Sequence, residues 1–337
     1  MIETTGRLLR IDRRARPVIA ILVVATLLSA ACSSQPGRVG EPVVVAGGDS
    51  LGSAQFLIAS SQNSWQADDL NYRSQSFPSG REALNAVLGG NATFGTVGDL
   101  PTVTAILAGE NVRILGALTE GIDWRVLTTT NTGVRGPSDL AGRKIGVTQG
   151  TNTQYLLDVV LGSAGLTTGD VELVNLSPNQ IPGALAKGDI DVGITFPTFY
   201  SAARTALGDS YADFVFDGYR SPTLLLASAD APAGLVDKLV SVLVRAQTSV
   251  DRGDDTIAAI AAGSNGALTE EQVRDLYPNY RIGLGIDDDL VDRLTAEAQW
   301  ASTTLGVTGD SSREHIASYF HSEPLHSADP SAVDLSE

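Results

Sequence analysis

Short apolar runs alternate with stretches of helical period along most of the chain. Val43–Ala46 reads as a short buried strand, and Ala54–Ser61 continues with an apolar helical face. The stretch 72–77 alternates polar and apolar positions as a half-buried strand does. Ser79 then opens a helix, SGREALNAVLGG, with Glu82 three residues on as a capping box and Gly89-Gly90 as its end. The pattern predicts a strand over 92–96, a helix over 102–108, and strands over 112–117 and 125–129.

Near residue 130 the alternation restarts. Strands are predicted over 144–148, 171–175 and 190–195, with helices from Asn152 to about Ala164 and over 182–187. A strand over 223–228 leads into a long helix over 235–251, and helices dominate from there to about residue 306. Strands alternating with helices predict a largely parallel sheet covered on both faces, here as two similar α/β units. No repeat of solenoid length interrupts the pattern.

The first 31 residues follow another logic. Arg7, Arg10, Arg13, Arg14 and Arg16 precede an apolar run, PVIAILVVATLL, and small residues lead to Cys32. The run is shorter than the roughly 20 residues a membrane-spanning helix needs. A basic start, a short apolar core and small residues make an export signal. The cysteine directly after it resembles a bacterial lipobox, with Ser29 where leucine is usual, so Cys32 is expected to carry a lipid anchor after cleavage. Residues 33–41, SSQPGRVGE, read as a flexible tether.

Composition narrows the field. The 337 residues are 43% hydrophobic and 18% charged, with a formal net charge of −16. The leader removes five arginines and only two acids, so the remainder is more acidic still. Such a surface excludes a nucleic-acid partner, which requires a basic stripe. Cys32 is the only cysteine, so no intrachain disulfide is available and stability rests on the core.

Four phrases carry a family resemblance: FPSGREALNAVLGGNATFGTVGDLP (77–101), DLAGRKIGVTQGTNTQYLLDVVLGSAGL (139–166), VELVNLSPNQIPGALAKGDIDVGITFPTFYSAA (171–203) and SPTLLLAS (221–228). In order and spacing the chain resembles the solute-binding lipoproteins of ABC importers, in the branch serving nitrate, sulfonate, taurine and thiamine-precursor uptake. That resemblance implies an α/β, two-lobed, type II periplasmic-binding-protein fold with two crossing strands and a ligand cleft between the lobes. Lobe 1 is expected over 42–128 plus 224–320, lobe 2 over 129–223, and a disordered tail over 321–337. The crossings are expected near 128–132 and 219–223. It further implies a monomeric receptor on the extracytoplasmic face of the membrane. Its partners would be a small ligand and an ABC permease. It would perform no catalysis and need no cofactor or metal.

Candidate ligand positions lie in the turns after strands, where helix N-termini present free N–H groups and a positive dipole end. These are Asp49 and Ser50, Ser79 and Gly80, Gly98 and Asp99, and the run Gln149, Gly150, Thr151, Asn152 and Thr153. Asp99 reads equally as a helix cap before Leu100-Pro101. Phe196 and Thr198 stand where relatives place an aromatic and an acid. Thr198 in the acid's place points away from a zwitterionic, taurine-like ligand. Trp124 is read either as a stacking surface for ligand or as hinge lining.

Gly48-Asp49-Ser50-Leu51 also spells the signature of a serine-esterase family. That alternative requires a histidine base, and His315, His321 and His326 lack the Asp-x-x-His spacing. The three histidines match no tight metal motif either. A further alternative within the same fold is a receptor for a thiamine-precursor pyrimidine, with Asp49, Asp99 or Asp123 against a basic ring.

Overall fold

The computed structural model describes residues 42–253 and 255–336. The export signal, Cys32 and the tether lie outside the described residues. Among the described residues no helix is long and apolar enough to cross a membrane.

Two sheets organise the chain. The strands, in order, are β1 (Val43–Ala46), β2 (Tyr72–Gln75), β3 (Phe94–Gly98), β4 (Val112–Gly121), β5 (Trp124–Thr129), β6 (Lys144–Val147), β7 (Glu172–Asn175), β8 (Val192–Ile194), β9 (Tyr211–Phe216), β10 (Ser221–Ser228), β11 (Tyr280–Asp287) and β12 (Val333–Asp334). The first sheet has seven strands in the order β12-β11-β4-β10-β3-β1-β2, and the second has five in the order β7-β6-β8-β5-β9. Apolar runs become central strands because both faces are covered. In β10, Leu224 and Leu226 enter one core, while Leu225 and Ala227 enter the core on the opposite face. The period of two is thus intact inside an unbroken apolar run. β2, which is polar and mostly exposed, sits at an edge. The second sheet is likewise covered on both faces: Val126 packs on one side and Leu127 on the other.

The sheets are mixed rather than largely parallel. β1 runs parallel to β2 and β3, and β6 runs parallel to β7 and β8. β10 is antiparallel to both β3 and β4, and β5 is antiparallel to both β8 and β9. The antiparallel strands include those that carry the chain between the sheets. A strand arriving directly from the other sheet enters opposite to strands that follow a crossover helix.

The chain leaves the first sheet after Gly121 and joins the second at Trp124. It returns between Phe216 and Ser221. The outward crossing therefore lies at Ile122–Asp123, earlier than the expected 128–132, and Trp124–Thr129 belongs to the second sheet. The crossing falls in the polar stretch TEGID between the two predicted strands. The local signal is conformational: Asp123 has φ +50°, unusual for a residue with a side chain. Ile122 N–H is tied to the Asn279 carbonyl at 2.8 Å.

Two expectations for the C-terminal part are corrected. The region expected to be helical to residue 306 contains β11, whose Gly-rich RIGLGID pairs with β4. The segment 321–337, expected to be a disordered tail, is folded through residue 336. Glu323–Ala328 is helical, Leu325 is completely buried, and β12 extends the first sheet alongside β11. Tyr319 and His321 exchange backbone hydrogen bonds with Ile114, both at 2.8 Å. The acidic, polar composition hides a few well-placed anchors, Ile316, Phe320 and Leu325, that dock on the sheet.

Candidate functional site

A cavity of about 160 Å³ opens where the two sheets meet, beyond the ends of β1, β3 and β8. Strand ends and helix starts converge at such places in α/β folds. From the first sheet, Gly47, Asp49 and Ser50 after β1, Ser79 and Gly80 at a helix start, and Thr96 and Gly98 of β3 form the wall. From the second sheet come Thr151 and Asn152 at the start of the Asn152–Ser163 helix, and Phe196, Pro197 and Thr198 after β8. The junction supplies Gly121, Trp124, Ser221, Pro222 and Thr223, and β11 supplies Tyr280.

Two glycines allow this convergence. A Cβ on Gly80 would stand 2.9 Å from the Gly98 nitrogen, so the helix start can lie against the end of β3 only without a side chain. A Cβ on Gly47, which has φ +83°, would stand 2.2 Å from Thr96 Oγ1. That hydroxyl instead accepts from Gly48 N–H at 3.1 Å and fixes the turn before Asp49.

Ten of the expected positions line the cavity: Asp49, Ser50, Ser79, Gly80, Gly98, Trp124, Thr151, Asn152, Phe196 and Thr198. Ser79 caps its helix as expected, its hydroxyl accepting from Glu82 N–H at 3.4 Å. Ser50 precedes a short 3-10 turn, Leu51–Ser53, yet its hydroxyl makes no cap hydrogen bond. It borders the cavity instead. Among the described residues no histidine, lysine or arginine lines that wall. Asp49, the one acidic side chain in the wall among the described residues, accepts from the Ser76 hydroxyl.

Four expected positions stand outside the wall. Thr153 is fully buried, with its hydroxyl 2.8 Å from that of Thr151. Gln149 donates its N–H to Asn175 Oδ1 at 3.1 Å. Gly150 has φ +72° and donates to Gln154 Oε1 at 2.7 Å. Asp99 is 1% exposed and accepts from Tyr219 Oη at 2.5 Å and from Leu100 N–H at 3.0 Å. It is the first residue of its helix, whose cap position is Gly98. Asp99 therefore stands behind this cavity's wall, and Gly98 takes the cap position. The reason is angular: neighbouring residues at a helix start point about 100° apart, so only some of a five-residue run can face the same space.

The two sheets meet across this site. A Cβ on Gly98 would lie 3.5 Å from Asn152 Cγ, and Asn152 Nδ2 donates to Ser221 Oγ at 2.7 Å. An aromatic series crosses beside it. Trp124 stacks on Tyr219 at 6.1 Å, Tyr219 meets Tyr155 edge-on at 5.4 Å, and Tyr155 meets Trp300 at 4.9 Å. Trp124 both lines the cavity and packs on Tyr219 at the junction.

Sequence reasoning missed Phe77, Thr96, Ser221, Thr223 and Tyr280. Ser221 and Thr223 fall in SPTLLLAS, directly after the return crossing, and that position was a usable signal. Tyr280 comes from a strand that the pattern did not reveal.

These features agree with comparisons to known proteins. The family model NMT1/THI5 like matches residues 53–249. A binding protein of Brucella abortus (strain 2308) is 30% identical over 187 residues, 55% of this chain and 56% of that protein. The chain thus matches little more than half the length of such curated relatives. The taurine-binding periplasmic protein of Escherichia coli (strain K12) is 30% identical over 115 residues, 34% of this chain and 36% of that one. Among solved structures, the alkanesulfonate-binding protein SsuA from Xanthomonas axonopodis pv. citri, bound to MOPS, superposes with a TM-score of 0.66 at 22% identity. It covers 83% of this chain and 99% of that one. The desulfurization enzyme DSZB superposes with a TM-score of 0.63 at 17% identity, covering 86% and 99%. The architecture is the periplasmic-binding-protein fold. With more than half of its length matched by one family model, the chain belongs to the NMT1/THI5-like family.

Proposed function

We propose that this protein is an extracytoplasmic solute-binding protein that captures a small organic anion, of sulfonate type, and hands it to an ABC permease. The observation that carries this reading is the cavity itself. Its walls come from both sheets, and helix starts at Gly80 and Asn152 converge on it. Helix N-termini bind anions through free N–H groups without a cationic side chain. Phe77, Trp124, Phe196 and Tyr280 add aromatic surface for an apolar body. The relatives named for taurine and alkanesulfonate support the same ligand class. In this reading the protein performs no chemistry on its cargo, acts as a monomer and is anchored through Cys32.

A pyrimidine receptor is the second reading, and one observation favours it. Asp49 lines the cavity, whereas Asp99 and Asp123 do not, so of the three acids only Asp49 is placed to meet a basic ring.

A thermal-shift screen with MOPS, alkanesulfonates, taurine, nitrate and aminopyrimidines separates these readings. A compound at 100 times its dissociation constant stabilises the native state by about 2.7 kcal/mol. Stabilisation by sulfonates and not by aminopyrimidines is expected; the reverse pattern selects the pyrimidine receptor. Cys32→Ala tests the anchor: the variant is expected in the soluble fraction, and retention in the membrane with the leader removed contradicts it.

A further inference from the structure

Behind the cavity wall lies a pair of carboxyl groups that ligand capture does not use. Asp99 opens the Asp99–Leu107 helix, and Glu297 lies on the Asp288–Thr304 helix packed against it. They are 1% and 2% exposed. Both line one pocket, and Glu297 Oε1 has no hydrogen-bond partner among the described residues. Two carboxylates buried side by side repel each other, which favours keeping a proton on the pair.

The pair is wired to the junction. Asp99 accepts from Tyr219 on the return crossing, and Ser221 Oγ lies 3.5 Å from its Oδ1. Ser221 in turn accepts from Asn152 of the second sheet's helix. Arg293 lines the same pocket and offsets part of the pair's charge, but it is also engaged by Glu120 Oε1 at 2.5 Å and by Asp289 at 3.1 Å. From the Asn152–Ser163 helix, Tyr155 and Asp158 face the pair's surroundings, with Asp158 bound to Trp300 Nε1 at 2.7 Å. The return crossing adds Asp217 and Arg220; Arg220 is paired with Asp289 at 2.7 Å. A pocket of about 350 Å³, lined by Asp99, Glu297, Tyr155, Asp217 and Arg293, gives a route for proton exchange.

We propose that Asp99 and Glu297 form a buried proton-binding site at the junction of the two sheets, and that the junction is held closed while the proton is bound and loosens when it leaves. Burial raises both carboxyls above the ordinary range, and for Glu297 the neighbouring Asp99 charge raises it further. The two titrate as a pair, not as separate residues. Because the folded state keeps a proton that the unfolded chain has released, the pair's contribution to stability is complete below the ordinary carboxylate range. It is lost as pH rises through the pair's titration.

The proposal does not depend on which ligand the cavity takes, so its test needs none. Thermal midpoints of the parent and Glu297→Gln are measured from pH 5 to pH 9. The amide removes the Glu297 carboxyl and its repulsion with Asp99, so that only Asp99 is left to titrate there. The expected parent-minus-variant difference falls with pH, by about 2 °C per pH unit at its steepest. Parallel curves overturn the proton site. Asp99→Asn replaces the first variant if Glu297→Gln does not fold. Infrared spectroscopy of the parent at pH 7 needs no variant: a buried protonated-carboxyl stretch is expected, and its absence overturns the site. Small-angle scattering reads the junction. The parent's radius of gyration is expected to grow between pH 6 and pH 9 while that of Glu297→Gln stays constant, and equal radii for the parent at both values overturn the coupling.

Discussion

Asn152 of the second sheet's first helix donates its side-chain N–H to Ser221, the first residue after the chain returns to the first sheet, at 2.7 Å. Both residues line the cavity, and Ser221 is 3% exposed. One hydrogen bond therefore joins the two sheets at the place where a ligand would sit. In Asn152→Ala the Ser221 hydroxyl loses its donor. A cost of about 1 kcal/mol is expected, and sulfonate affinity is expected to fall several-fold. Titration calorimetry of the two proteins checks this.

Gly80→Ala tests the close approach between helix start and strand end. The added methyl meets the Gly98 backbone at 2.9 Å, and neither partner is the end of a flexible side chain. Urea unfolding is expected to show a loss of about 1–3 kcal/mol. Unchanged stability would mean that the helix start and β3 are not this close.

Leu325→Ala tests whether the C-terminal segment is part of the fold. Leu325 is fully buried in the core that also contains Leu115, Leu284 and Leu239. A loss of about 2–5 kcal/mol is expected in equilibrium unfolding. A variant as stable as the parent would restore the expectation of a disordered tail.

Ser50→Ala separates binding from catalysis. The hydroxyl borders the cavity, with no histidine in the wall among the described residues. No aryl-ester hydrolysis is expected from the parent. Weaker ligand binding is expected in the variant, by about 0.5–1.5 kcal/mol for a neutral partner or 1.5–3 for a charged one. Labelling of Ser50 by a fluorophosphonate, lost in the variant, would favour the esterase.

Much of this was legible from local pattern. The apolar runs at 43–46, 144–147 and 192–194 became strands, and the turns after them became cavity wall. The capping box at Ser79 and the glycine at 80 placed one helix start correctly. Long-range pairing was not legible. β11 is a Gly-rich strand with weak alternation, recruited because β4 offers it a free edge, and it brings Tyr280 to the site from far along the chain. The early crossing at Ile122–Asp123 was hidden because a short polar turn reads alike whether the next strand joins the same sheet or another. The place of Asp99 was not legible because a sequence shows that an acid begins a helix, not which way its carboxylate turns. Only the fold brings Glu297 and Tyr219 to it from almost 200 and 120 residues away.

The central claim is that the space between the sheets holds a small organic anion at the Asn152 helix start. Calorimetric titration of the parent and Asn152→Asp with 1-butanesulfonate and MOPS tests it most directly. The substitution keeps the side-chain size and places a negative charge at that helix start. Saturable one-to-one binding by the parent is expected, weakened at least about tenfold in the variant by charge repulsion and loss of a donor. No saturable binding by the parent, or equal affinity in both proteins, would contradict the account.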